Sequence, residues 1–363
     1  MKSLYKLLII FPLIIISTKP FTINQYEALS LKKKGISIKN PYTSKFLKLT
    51  KKKVTAFKID TNPITLQKAA KYSLELLKDK KNTKNRIINT KKVKETLRFI
   101  IALIENDKKN KRPFRILNTN FLNKYFKFIR WSGDIQNAKK HGKIIKPGSI
   151  YLTHYATFEI NGNYKQTKKY PYALYQIINK YFDQDLRFKI SKQNVLRGRL
   201  NLPIYKNKVK PLVWVTRQGL EEALMQGTTI VKMPNGKKRI FCVNKNNGFA
   251  YDQNIKKREN QKRYWYFKEL KNNNFNIINL GKTVFAGDIY NIGLGKIIAI
   301  RYKNRINKKI EMRLGILADS GGAFVNNLYQ LDYYGGAFKN HKDFYSWVKP
   351  MPRNVQSFIL IKK

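Results

Sequence analysis

The segment Ile316-Leu317-Ala318-Asp319-Ser320-Gly321-Gly322-Ala323-Phe324, with Asp332 shortly after it, carries the clearest chemistry in the chain. A hydrophobic run ends in a carboxylate, and two glycines then let the backbone turn tightly beside it. Leu314 to Ala318 reads as a strand, so Asp319 stands at a strand end facing a groove, where rigid elements hold a reacting group well. A carboxyl so placed can give a proton to a leaving oxygen and later take one back. The competing reading is an aspartate that merely closes a turn, a common use of Asp-x-Gly-Gly.

Other segments share that chemistry. Met225-Gln226-Gly227-Thr228 leads into a hairpin expected over Thr229 to Val243, turned at Pro234-Asn235-Gly236. Asn246-Asn247-Gly248-Phe249-Ala250-Tyr251 follows, and Arg263-Tyr264-Trp265-Tyr266-Phe267 comes after it. Upstream stand Tyr151-Leu152-Thr153-His154-Tyr155 and Tyr170-Pro171-Tyr172-Ala173-Leu174-Tyr175. In this order the segments resemble the lytic murein transglycosylase A family. That family carries a Gly-Tyr-Tyr strand, a Tyr-Pro-x-Tyr segment, a Gln-Gly-Ser-Gly turn, a Lys-Asn-Gly-His-x-Tyr segment and a terminal Asp-x-Gly-Gly-Ala. The likeness covers roughly Leu66 to Ile361.

The resemblance implies an exported enzyme that cleaves the glycan of peptidoglycan at the bond between N-acetylmuramic acid and N-acetylglucosamine, leaving 1,6-anhydromuramyl ends. It assigns Asp319 as general acid/base and Asp332 as the residue that tunes or orients it. Thr153, Tyr155, Gln226, Gly227, Thr228, Asn247, Tyr251, Gly321, Gly322 and Ala323 fall on motifs resembling the family's substrate groove. A hydrolase usually needs two carboxylates at a fixed separation. Here the muramyl C6 hydroxyl attacks its own anomeric carbon, so tethering replaces a positioned water and one carboxyl serves both proton transfers. Asp319 must then start protonated, and burial against Leu317 and Phe324 with Asp332 nearby works in that direction.

The chain departs from the family pattern in several places. His154-Tyr155-Ala156 replaces Gly-Tyr-Tyr, and Thr229 stands where the second glycine of Gln-Gly-Ser-Gly belongs. Phe324-Val325-Asn326 replaces Ile-Lys-Gly, and no third acidic residue is evident near Gly335-Gly336-Ala337. The stretch between Tyr251 and Tyr264 is also short. These differences leave a second reading open: a protein on the same scaffold that binds glycan without cutting it.

The elements that must hold these residues change character along the chain. Leu66, Ala69, Ala70, Leu74 and Leu77 recur at helical spacing after Asn62-Pro63. Thr90 is the expected cap of a second helix carrying Val93, Leu97, Ile100, Ile101 and Ile104, and a third helix is expected from Asn120 to Trp131. From Lys146-Pro147-Gly148 onward short β-rich runs take over: Tyr151 to Ile160, Val284 to Ile300 and Lys309 to Ala318. Such punctuation indicates a mainly β chain with N-terminal helices, built as barrels rather than a parallel sheet. The resemblance specifies a double-psi β-barrel with a smaller inserted β domain. The expected division is 1–20 as signal peptide or membrane anchor, 21–62 as a basic lead-in, 63–158 plus 269–363 as helices and catalytic barrel, and 159–268 as the inserted domain forming the other groove wall.

Composition bounds the rest. The chain has 363 residues, 42% hydrophobic and 13% aromatic, which excludes wholesale disorder. Lysine and arginine number 75 against 21 acidic residues, a net charge of +54. Such a surface attracts polyanions whatever it evolved for. Drift toward Lys, Asn, Ile, Tyr and Phe and selection for an anionic partner both account for it, and peptidoglycan with its peptide carboxylates is such a partner. A nucleic-acid binder is disfavoured, because no known fingerprint accompanies the charge. Lys2 and Lys6 precede the apolar run Leu7 to Ile16, the pattern of an export segment, with membrane association through it if it stays uncleaved. Export places the protein in the periplasm or cell envelope. Cys242 is the only cysteine, which rules out an internal disulfide and reads as a small buried hydrophobe. His141, His154 and His341 show no ligand spacing, so neither a metal nor another cofactor is expected.

Overall fold

The computed structural model describes residues 43–79, 88–178, 182–250, 252, 254–270, 277–321 and 324–363. The expected export segment, most of the lead-in, Tyr251, Gly322 and Ala323 lie outside the described residues. The first part of the chain gives β1 (Leu47–Leu49), β2 (Lys58–Ile59), α1 (Pro63–Leu76), α2 (Thr90–Lys109), α3 (Thr119–Tyr125) and β3 (Phe126–Trp131). After α4 (Ile135–Lys140) come the long β4 (Ile150–Asn163) and β5 (Tyr172–Ile177). Then follow α5 (Phe182–Asp185), α6 (Lys192–Leu196), β6 (Val209–Val215), α7 (Arg217–Gln226), β7 (Thr228–Lys232), β8 (Lys238–Asn246) and β9 (Trp265–Leu270). The last part holds β10 (Val284–Ala286), β11 (Lys296–Lys303), β12 (Ile310–Asp319), β13 (Gln330–Phe338), α8 (His341–Val348) and β14 (Asn354–Lys362). Among the described residues no helix is long and apolar enough to cross a membrane.

Six strands close into a ring in the order β4-β13-β10-β12-β11-β14 and back to β4. The β13–β4 and β10–β12 pairs are parallel and the others antiparallel. Closure removes the exposed edges that an open sheet must protect. Helices α1 and α2 pack against this ring and share its core, which includes Leu66, Leu97, Ile298, Leu314 and Ile359. Asn62 caps α1 by accepting from the Thr65 N–H, and Pro63 fills the first turn where its missing N–H costs nothing.

The far half of β4 leaves the ring and pairs with β7 and β6 instead. With β5, β8 and β9 these strands surround a second core containing Leu174, Val213, Leu220, Phe241 and Tyr266. Gly162 permits the hand-over, because a Cβ there would strike the Val231 and Val213 side chains.

Three expectations need correction. The cap of α2 is Asn89, whose side chain accepts from the Lys91 N–H, and not Thr90. The third helix stops at Tyr125, and Phe126 to Trp131 is strand β3, lying between β14 and β1. Its aromatic residues suit either period, and non-local pairing with β14 decides between them. Val284 to Ile300 is two strands, β10 and β11, separated by a loop in which Gly293 and Gly295 take positive φ of 90° and 80°.

Candidate active site

Strand β10 is only three residues long and lies between β12 and β13. Its last residue, Ala286, is in register with Asp319 on one side and Asp332 on the other. A register shift between Phe285 and Ala286 skips Ala318, so the bulge brings Asp319 opposite Ala286. Both aspartates therefore share one face, their backbones two strand spacings or about 10 Å apart. Asp332 is in turn in register with Thr153 on β4, and Tyr334 with Tyr155.

The two carboxyls have different surroundings. Asp319 is 1% exposed. The Tyr155 hydroxyl donates to its Oδ2 at 2.7 Å and the Ser320 N–H to its Oδ1 at 2.8 Å. Asp332 is half-buried, and its Oδ1 is buried without a hydrogen-bond partner. Burial, aided by the negative charge of Asp319, pushes the Asp332 carboxyl up to about 7 against the opposing pull of Thr153 and Arg353. At neutral pH a substantial fraction of Asp332 therefore carries a proton.

Tyrosines line this face. The rings of Tyr155 and Tyr334 lie 4.9 Å apart, and the Tyr334 and Thr157 hydroxyls share a hydrogen bond of 2.8 Å. Burial and then the charge of Asp319 push the Tyr155 hydroxyl well above its ordinary value. Tyr72 on α1 is raised by burial and then by the charges of Asp319 and Cys242, so the N-terminal helix carries a buried hydroxyl that senses Asp319. The sequence reading gave α1 no chemistry, and a tyrosine on a buried helical face leaves no signal that would separate it from core.

Asp288 was also missed. It is wholly buried and pushed up to about 6 by burial, which hydrogen bonds from its neighbours oppose. Its Oδ1 accepts from the N–H groups of Tyr290 and Asn291, and its Oδ2 from the Asn327 N–H at 2.9 Å and the Asn291 amide at 2.6 Å. The loop after β10 is thereby tied to the loop after β12. The available signal was Val284-Phe285-Ala286-Gly287-Asp288, an apolar run ending in a carboxylate just as the run before Asp319 does.

The other expected groove residues fall into two groups. Thr153 lies beside Asp332, where its hydroxyl accepts from the Gln330 amide at 2.9 Å, and Gly321 directly follows the Asp319-Ser320 pair. Gly227 ends α7 with φ 74°, and Thr228 is in register with Cys242, its hydroxyl buried without a partner. Cys242 is buried, and burial pushes its thiol up to about 11. Gln226 is half-buried, its amide 3.4 Å from Glu222. Asn247 is different. It is 0% exposed, with its amide donating to the carbonyls of Ile190 and Lys262 and its oxygen accepting from the Tyr264 N–H. In this position Asn247 braces the second core. Among the described residues no group of three or more His, Cys, Asp or Glu could hold a metal ion.

No protein-family model matches the chain, and no curated protein matches it in sequence. Solved structures do match in fold. MltA of Escherichia coli with bound chitohexaose aligns at a TM-score of 0.59 and 15% identity over 90% of this chain and 97% of that one. The membrane-bound lytic murein transglycosylase of Agrobacterium tumefaciens aligns at 0.55 and 14%, over 83% and 93%. MltA of Neisseria gonorrhoeae aligns at 0.54 and 13%, over 83% and 86%. The fold is that of the MltA-type lytic murein transglycosylases.

Proposed function

We propose that this chain is an exported lytic transglycosylase that cleaves peptidoglycan glycan strands with formation of 1,6-anhydromuramyl ends, on a ring of double-psi type. The observation that carries the reading is the aspartate pair: Asp332, with a buried Oδ1 that has no hydrogen-bond partner among the described residues, beside Asp319, buried and hydrogen-bonded by Tyr155 and Ser320. The fold likeness to a protein that binds chitohexaose supports a glycan strand as the substrate. The inserted second core supplies the opposite wall of the groove.

The sequence reading gives the acid/base role to Asp319. The raised carboxyl favours Asp332 for it, because both Asp319 oxygens already accept hydrogen bonds. Asp332 donates its proton to the glycosidic oxygen as the bond to the muramyl anomeric carbon breaks. It then accepts the proton of the C6 hydroxyl as that oxygen bonds to the same carbon, so no proton or water is consumed overall. Burial holds the proton on Asp332, helped by the negative charge of Asp319, which is itself fixed by Tyr155.

The test incubates residues 21 onward with purified sacculi and examines released fragments by mass spectrometry, for wild type, Asp332→Asn and Asp319→Asn. Anhydromuramyl ends from wild type and none from Asp332→Asn support the assignment. Release that survives in Asp332→Asn and is lost in Asp319→Asn returns the role to Asp319. Reducing ends in place of anhydro ends would mean hydrolysis and sink the mechanism. Retention on sacculi without release by any form is the result expected of a glycan-binding protein without catalysis.

A further inference from the structure

A second site lies on the part of the fold made by β1, α3 and β3. A pocket of about 670 Å³ opens there, and six of its twelve lining residues are lysines: Lys51, Lys52, Lys53, Lys124, Lys127 and Lys363. No aspartate, glutamate or arginine lines it. The whole chain has 75 basic residues in 363, so half is well above what diffuse charge would place there. None of the lining residues belongs to the aspartate site.

The backbone beneath the pocket is fixed, although its lysine side chains are exposed. The backbone carrying Lys51 to Lys53 is clamped at both ends, by the Thr50 N–H donating to the Phe128 carbonyl at 2.8 Å and the Val54 N–H to Asn123 Oδ1 at 2.9 Å. The Asn123 amide returns a bond to the Val54 carbonyl at 2.8 Å. Lys363 joins through its N–H to the Tyr125 carbonyl and its Nζ to the Asn123 carbonyl. Three separate chain segments thus bring exposed lysines around one space. The Thr50 hydroxyl at its wall is buried and has no hydrogen-bond partner among the described residues, an expensive arrangement that a ligand oxygen would relieve.

We propose that this pocket binds a compound carrying two or more phosphate groups. Carboxylates are matched best by the planar fork of arginine, which is absent, whereas lysine serves phosphate as a mobile point charge. Several lysines around one volume suit an anion with several charges, and the volume suits a ligand of drug-like size. A soluble oligophosphate and the headgroups of an anionic phospholipid share this chemistry.

Full-chain protein is titrated with tripolyphosphate by calorimetry at physiological ionic strength. It is compared with Lys52→Ser/Lys53→Ser/Lys124→Ser and with Lys165→Ser/Lys168→Ser/Lys169→Ser, which removes the same charge from an exposed loop of the second lobe. The expected result is saturable binding at one site, weakened about tenfold or more in the first variant and unchanged in the second. Thr50→Val, which changes no charge, weakens binding too. Equal weakening in both lysine variants, or binding that never saturates, overturns the site in favour of diffuse charge. Sedimentation with phosphatidylglycerol vesicles then identifies the source. Loss of sedimentation in the first lysine variant alone assigns a lipid headgroup. Sedimentation indifferent to that variant, with tripolyphosphate binding still dependent on it, assigns a soluble phosphate compound.

Discussion

Asp319 and Asp332 share a face, yet their oxygens have different surroundings. Folding raises the Asp332 carboxyl from 3.8 to about 7, so the native state holds a proton that the unfolded chain releases between those values. The stability this residue contributes is full below about pH 4 and is lost as pH rises through about 7. Asp288, raised to about 6, acts in the same direction, so the Asp332 share appears only as a difference between wild type and Asp332→Asn. Melting temperatures of the two should agree below about pH 4, separate as pH rises from about 4 to 7 and keep a constant offset above that, with wild type the lower. In the proposed mechanism the same proton sets the rate. If Asp332 is the general acid, kcat/KM for release of muropeptides falls about tenfold per pH unit on the alkaline side of its pKa, near 7. A rate that stays flat to alkaline pH would exclude Asp332 as the proton donor.

Single elements differ in how far the sequence reveals them, and the reason is the range of the forces that set them. Helix α1 is legible because its cap at Asn62, its Pro63 and its buried face all lie within a few turns of each other. The β7–β8 hairpin is legible for the same reason, since Pro234-Asn235-Gly236 turns adjacent strands. Strand β3 is not, because its partner β14 lies at the far end of the chain. The bulge that aims Asp319 exists only in the pairing of β10 with β12, so the residue type was readable and its direction was not. At Asn247 the Asn-Gly pair reads as an exposed turn, while its amide is consumed inside the second core. Strand β13 shows how tightly such non-local pairings are set. A Cβ on Gly281 would meet the Gly336 Cα at 2.5 Å and the Gly335 carbonyl at 3.0 Å, and backbone cannot step aside as a side chain can. The contact sits where the β13–β4 register shifts between Tyr334 and Ala337, and β13 carries Asp332. Gly281→Ala should lower stability by about 1–3 kcal/mol or more, read as a lower urea midpoint, and should reduce sacculus digestion at temperatures where the variant remains folded. An unchanged midpoint would show that the ring yields at this contact.

For the whole molecule, charge dominates. With 75 cations and 21 side-chain anions, pairing every carboxylate with one cation would still leave a net +54. Pairs such as Lys78–Glu75 and Lys92–Glu95 lie largely in solvent, where each contributes little, while Lys192–Glu221 is a buried exception at 2.9 Å. Repulsion among the remaining cations therefore opposes the compact state more than pairing favours it. Salt weakens repulsion between exposed charges once the screening length falls to about 10 Å, near 0.1 M, and barely touches the buried pair. The melting temperature should then rise as sodium chloride is increased from low concentration, with most of the gain complete by about 0.3 M. The same screening weakens attraction to an anionic wall, so retention on sacculi should fall over the same range. Stability and binding thus move in opposite directions from one cause, which separates charge from packing. A melting temperature that falls with salt would mean that the few paired carboxylates outweigh the excess cations. Retention that persists at high salt would mean that the groove, through hydroxyl and aromatic contacts with the sugar rings, carries the binding and the surface charge does not.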